Sequence, residues 1–201
     1  MIFFAWLPYF FLLFSEKNLS DNDFNTVVRL DNPSFEGVSQ DATTPVGWIS
    51  CGENSTPDIL PGFWGVYTAA SDGNTYIGLI TREDGSWESI GQRLRKPLKA
   101  GECYNFGIDL ARSSSYSDYN TPVKLRIWGG SKRCSKEQIL AESPIIKHNT
   151  WKTYNFEINP TKDYNFFLLE AQCASGIYFS YKGNILIDNC SIFKKCPRAS
   201  L

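Results

Sequence analysis

The stretch CYNFGIDLA, residues 103–111, decides the fold class. Tyr104, Phe106, Ile108 and Leu110 alternate with Cys103, Asn105, Gly107 and Asp109. A period of two sets the apolar side chains on one face of an extended strand and the mostly polar ones on the other. Val123, Leu125 and Ile127 alternate in the same way with Lys124, Arg126 and Trp128, and residues 152–158 repeat the pattern through Tyr154, Phe156 and Ile158. Working outward, further strands are predicted at residues 26–30, 47–50, 75–81, 86–94, 164–171, 177–181 and 184–193. About ten short strands punctuated by Gly, Pro, Asn and Asp predict an all-β, two-sheet antiparallel sandwich of the jelly-roll kind, not a chain of βαβ units. One short helix is expected at residues 136–140, where Ser135 and Gln138 have the spacing of a capping box.

With 201 residues the chain can bury one sizeable core, so a single domain is expected. Residues 2–14 are almost wholly apolar, too short a run to span a bilayer as a helix but suited to a signal peptide over residues 1–15. Residues 16–25 read as a polar linker, residues 26–193 as the folded domain and residues 194–201 as a basic tail. Six cysteines, an even number with no CxxC pair, fit disulfides in an oxidising compartment, and Cys190 with Cys196 is one pairing to expect. Export to the medium or the cell surface follows. Lys plus Arg number 20 against 21 Asp plus Glu, which leaves no overall charge excess to draw the chain to nucleic acid or an anionic membrane.

Several segments in order resemble the galactose-binding-like jelly rolls: Asn32-Pro33-Ser34-Phe35-Glu36-Gly37, Pro45-Val46-Gly47-Trp48, Asp72-Gly73-Asn74-Thr75-Tyr76-Ile77-Gly78 and Gly183-Asn184-Ile185-Leu186-Ile187-Asp188-Asn189. Within that group the order resembles carbohydrate-binding modules of the family 4, 9 and 22 type. A narrower resemblance, to a domain of secreted and surface proteins of gliding Bacteroidota, runs through Thr56-Pro57-Asp58-Ile59-Leu60-Pro61-Gly62, Thr81-Arg82-Glu83-Asp84-Gly85 and Leu125-Arg126-Ile127-Trp128-Gly129-Gly130. The resemblance implies a carbohydrate ligand and a structural Ca²⁺ held by Glu36 and Asp188 on neighbouring strands, with oxygens from the turn at Asp72 completing the hard shell that calcium takes.

Sugar binding needs flat apolar faces for pyranose C–H groups and planar polar groups that read hydroxyls. Alternation places Asn105 and Asp109 on one outward face and Lys124, Arg126 and Trp128 on another; adjacent strands would join them into a polar shelf with one indole. Trp64, Tyr67 and Trp87 are further stacking candidates, and Arg82 and Gln92 further hydrogen-bonding ones. The loops at residues 50–65 and 112–121 are long enough to bind. A domain that binds a surface protein is the alternative. A small glycosidase using Glu88, Asp109 or Glu170 is a third reading, but carboxylates at no set spacing carry little, and His148 stands alone.

Overall fold

A computed structural model describes residues 27–174, 176 and 179–197, and among them the chain is all-β with no helix. In chain order the strands are β1 (Val27–Val28), β2 (Ile49–Ser50), β3 (Asp58–Leu60), β4 (Tyr76–Thr81), β5 (Ser89–Leu98), β6 (Tyr104–Ala111), β7 (Thr121–Pro122), β8 (Lys124–Gly130), β9 (Gln138–Glu142), β10 (Lys152–Ile158), β11 (Tyr164–Gln172), β12 (Gly183–Asp188) and β13 (Phe193–Lys195). Eight form one sheet, ordered β1-β13-β6-β12-β4-β3 with β10 also on β6 and β7 on β12; five form the other, ordered β2-β5-β11-β8-β9. The first and last strands pair, Val27 against Lys194.

The alternation seen in the sequence builds the core. Tyr104, Phe106, Ile108 and Leu110 of β6 face Leu125 and Ile127 of β8 and Phe167 and Leu169 of β11 in one buried cluster. Rings of Phe106, Phe167 and Phe193 pack with centroids 4.5–5.2 Å apart. A second, smaller cluster lies on the outer face of the eight-stranded sheet, where Tyr76, Leu186, Leu60, Val66 and Tyr116 are buried under the loops. That outer cluster positions the candidate site.

Five expectations are corrected. Of the segment expected to be helical, residues 136–137 are irregular and Gln138 to Leu140 enter β9, because pairing with β8 supplies more backbone bonds than one helical turn could. Residues 184–193 are two strands broken at Asn189, whose φ is 48°. Of residues 177–181, Ile177 and Tyr178 lie outside the described residues and 179–181 form no strand. Cys190 is free and buried, while Cys196 bonds Cys103 and Cys51 bonds Cys134. The chain from Cys190 to Cys196 runs extended through β13, which separates the two thiols expected to join. Residues 194–195, expected as tail, complete β13, and the proposed signal peptide and linker lie outside the described residues.

Candidate functional site

The loops at residues 50–65 and 112–121 converge on the outer face of the eight-stranded sheet, over β3 and β4, and enclose a cleft of about 260 Å³. Its lining includes Asp58, Trp64, Arg82, Glu88, Tyr116 and Tyr119. Both loops are held by side chains. Asn184, fully buried on β12, donates to the carbonyls of Ser113 and Tyr119 and accepts from Ser113 N. Tyr116 is buried against the sheet and donates its hydroxyl to Asp58 Oδ2. That placement needs Gly78: a Cβ there would stand 2.7 Å from Tyr116 Oη and 2.8 Å from Leu60 Cδ1.

Trp64 forms the rim. A tight turn, with Gly62 N bonded to Val66 O and Val66 N to Phe63 O, holds Trp64 in the left-handed region at φ 55° with its side chain 48% exposed. A bulky residue in that conformation stores strain. In the wall, Arg82 Nη2 lies 2.7 Å from Glu88 Oε1, while Arg82 Nη1 is buried without a hydrogen-bond partner, alone in that respect among the described residues.

The two acids of the cleft are engaged. Glu88 Oε1 accepts from Thr56 N, Thr56 Oγ1 and Arg82, and its Oε2 accepts from Ile80 N. Asp58 Oδ1 accepts from Ala42 N. Burial pushes both carboxyls above their ordinary range, against the lowering influence of Arg82 on Glu88 and of Tyr116 on Asp58. Each carboxylate thus orients the groups around it.

The other sequence candidates fall elsewhere. The expected shelf does not form, because β6 and β8 lie in opposite sheets. Asn105 is exposed on β6, opposite Glu157. Asp109 is buried and accepts from Ser71 Oγ, Thr153 Oγ1 and Asn189 Nδ2, which hold it below its ordinary range despite burial. On the outer face of the five-stranded sheet, half-buried Trp128 donates its indole N–H to buried Glu170 at 3.0 Å, which also pairs with Lys136. Arg126 lies 5.4 Å over the Trp128 ring and bonds Glu142, while Lys136 sits 6.0 Å over Trp87. This cluster satisfies its own polar groups. Gln92 is likewise committed, tying Asp31 and Gly47.

The motif residues at the sandwich end are architectural. Phe35 and Trp48 are buried with ring centroids 4.9 Å apart, and the Trp48 indole donates to Asn32 O. Glu36 lies in the connection before β2, not on a strand neighbouring Asp188. The two carboxylates instead bond backbone N–H groups of one segment, residues 71–75. Glu36 Oε1 accepts from Asn74 N and Thr75 N, and Asp188 Oδ2 from Ser71 N and Asp72 N. Asp72 turns away to accept from Ser34 Oγ, so it does not join a three-carboxylate cage. Among the described residues the one group of three close ligand-type atoms is Cys103, Glu157 and Cys196, whose sulfurs form a disulfide. Burial, outweighing the three N–H bonds, pushes the Asp188 carboxyl up to about 6.

Sequence reasoning had marked Trp64, Arg82 and both loops, and the structure brings these together. It had missed Asp58, Tyr116 and Tyr119 as cleft residues, and it had read Glu88 only as a possible acid. The two tyrosines of a polar loop were the available signal.

No protein-family model matches the chain, and no curated protein matches it. Among solved structures it is similar to an arabinose-bound α-L-arabinofuranosidase (14% identity, TM-score 0.56, 84% of this chain and 26% of that one). It is also similar to the K3 cleaved adhesin domain of Lys-gingipain from Porphyromonas gingivalis (12% identity, TM-score 0.51, 82% and 96%). A third is the CBM22-1 xylan-binding domain from Paenibacillus barcinonensis Xyn10C (13% identity, TM-score 0.51, 82% and 93%). The chain thus spans about a quarter of the arabinofuranosidase and nearly all of the two smaller domains. At these identities the likeness is one of fold: a two-sheet jelly-roll sandwich.

Proposed function

We propose that this domain is a non-catalytic carbohydrate-binding module whose ligand sits in the cleft between the loops at residues 50–65 and 112–121. The observation that carries the reading is Trp64, strained and half-exposed at the rim of a preformed cleft whose wall holds Arg82. The indole offers a flat face to a sugar ring, and the guanidinium and the Tyr119 hydroxyl offer hydrogen bonds to its oxygens. The xylan-binding and arabinose-bound proteins that share the fold support this ligand class. Two disulfides support a site of action outside the cytoplasm.

A structural Ca²⁺ belongs to the same proposal. Glu36 and Asp188 supply the hard carboxylate oxygens that calcium takes, and among the described residues neither forms an ion pair with Lys or Arg. The ion would neutralise charge where the fold does not.

A glycan array probed with the full chain and with Trp64→Ala tests the main reading. Binding to a defined set of oligosaccharides, lost in the variant, is the expected result. An array with no binder, or a variant that binds as well as the parent, overturns it and leaves the protein-binding alternative, which the gingipain adhesin fold supports.

A further inference from the structure

The two sheets end side by side at β9 and β10, which lie against each other across the sandwich. The other strands at sheet ends are short: β1 and β2 have two residues each, and β3 has three and is bridged to Gln40. Short edge strands give another chain little to pair with. β10 differs. Its seven residues pair with β6 one for one, from Lys152 with Leu110 to Ile158 with Tyr104, and the register never shifts. It holds no proline, whereas β9 beside it has five residues and an irregular register.

Among the described residues, no hydrogen bond reaches the backbone of β10 from the side away from β6. On that side alternate residues of an antiparallel strand present an N–H and a C=O, which together are a template for one more strand. The side chains leave the template open. Thr153, Asn155 and Glu157 are exposed on one face, and on the other Tyr154 and Phe156 are only partly buried where they pack on the core. Ala141 of β9 is partly buried in the same way, so the seam between the two open edges is apolar.

The geometry points to a second copy of this chain as the strand that pairs there, β10 antiparallel to β10 about a two-fold axis at Asn155. Asn155 is the middle residue of the strand, so this register pairs all seven positions. A two-fold axis perpendicular to the sheet keeps core-facing residues opposite core-facing ones. Tyr154 then stands opposite Phe156 twice, and such aromatic pairs stabilise antiparallel strands. Charge agrees with that order. Lys152 begins β10 and Glu157 lies next to its end, so antiparallel copies bring the cationic end of each to the acidic end of the other. Parallel copies would set like charge against like. The assembly closes as a dimer, because one axis uses up both open edges.

Sedimentation of the full chain over a concentration series tests the pairing, and a mass that moves from one chain to two is the expected result. Asn155→Cys should give a covalent dimer under mild oxidation. A residue opposite its own copy in an antiparallel pair has Cα atoms about 4.5–5.5 Å apart, within reach of a disulfide. Thr153→Cys, and the parent with its free Cys173 and Cys190, should not cross-link to that extent. Asn155→Lys, at an exposed position, sets two cations face to face and should hold the chain as a monomer that still unfolds in one cooperative thermal transition. The proposal is overturned if the parent sediments as a monomer throughout, if Asn155→Lys associates as the parent does, or if Thr153→Cys cross-links as readily as Asn155→Cys.

Discussion

At the scale of single residues, the structure separates tryptophans that the sequence treats alike. Trp64 is strained and projects over a cleft, so Trp64→Ala should cost about 1–3 kcal/mol of glycan affinity while leaving the melting temperature within a few degrees of the parent. Titration calorimetry paired with thermal melts reads both. Trp128 has its N–H on buried Glu170 and its ring under Arg126, so the balance is reversed. Trp128→Ala leaves a buried carboxylate short of a donor and should lower the melting temperature with glycan affinity unchanged. Periodicity alone placed Arg126 and Trp128 on the outward face correctly, since Leu125 and Ile127 are in the core. It could not reveal that Glu142, Glu170 and Lys136 close over that face, because those partners come from β9, β11 and the turn before β9, brought together only by strand pairing.

Elements were legible wherever one face meets the core and the other meets water. The alternation in residues 103–111, 123–128 and 152–158 corresponds to β6, β8 and β10 within a residue or two, because each has a two-faced environment that a period of two reports. The error at residues 136–140 has the opposite cause. A capping-box spacing is a local signal, and the pairing of Gln138 with Gly129 and Ile139 with Trp128 is not visible locally. The loops, Trp64 and Arg82 were legible as separate candidates, but their assembly into one cleft was not, for the same reason: its walls come from β3, β4 and a loop some sixty residues distant that docks through Tyr116. Gly78 is the contact that permits this docking. Gly78→Val should displace Tyr116 and free the loop at residues 112–121, abolishing glycan binding and making that loop a site of limited proteolysis, while the main core between the sheets persists as a cooperative unfolding transition. The disulfides act at this scale too. Cys103 and Cys196 are 93 residues apart, so removing the bond by paired serine substitution should destabilise the fold by about 4 kcal/mol in denaturant unfolding.

Over the whole molecule, the unusual feature is a set of buried carboxyls with raised pKa values. Asp188 is pushed up to about 6, and Asp58 and Glu88 are raised as well, each chiefly by burial. A carboxyl whose folded pKa lies above its unfolded one binds its proton more tightly in the native state. Its contribution to stability is therefore fully present below the unfolded value near 4 and is lost as pH rises through the folded value. For Asp188 that window runs from about 4 to about 6, and the change amounts to about 2 kcal/mol after allowance for solvent screening. Asp109, Glu142 and Asp163 are lowered instead, so their contribution is lost only below the ordinary carboxylate range. In the presence of a chelator the melting temperature should thus rise between pH 7.5 and pH 5 and fall again under stronger acid. Calcium inverts the first limb. An ion held by Glu36 and Asp188 stabilises the charged carboxylate, so millimolar Ca²⁺ should raise the melting temperature at pH 7.5, have little effect at pH 5, and flatten the profile between them. Asp188→Asn retains a carbonyl acceptor for Ser71 N and Asp72 N but cannot titrate, and it should remove both the acid-side gain and the calcium response. A chelated profile that rises towards pH 5 with no calcium effect at pH 7.5 would keep the buried-carboxylate account and discard the ion. A profile that is flat from pH 7.5 to 5 would discard both.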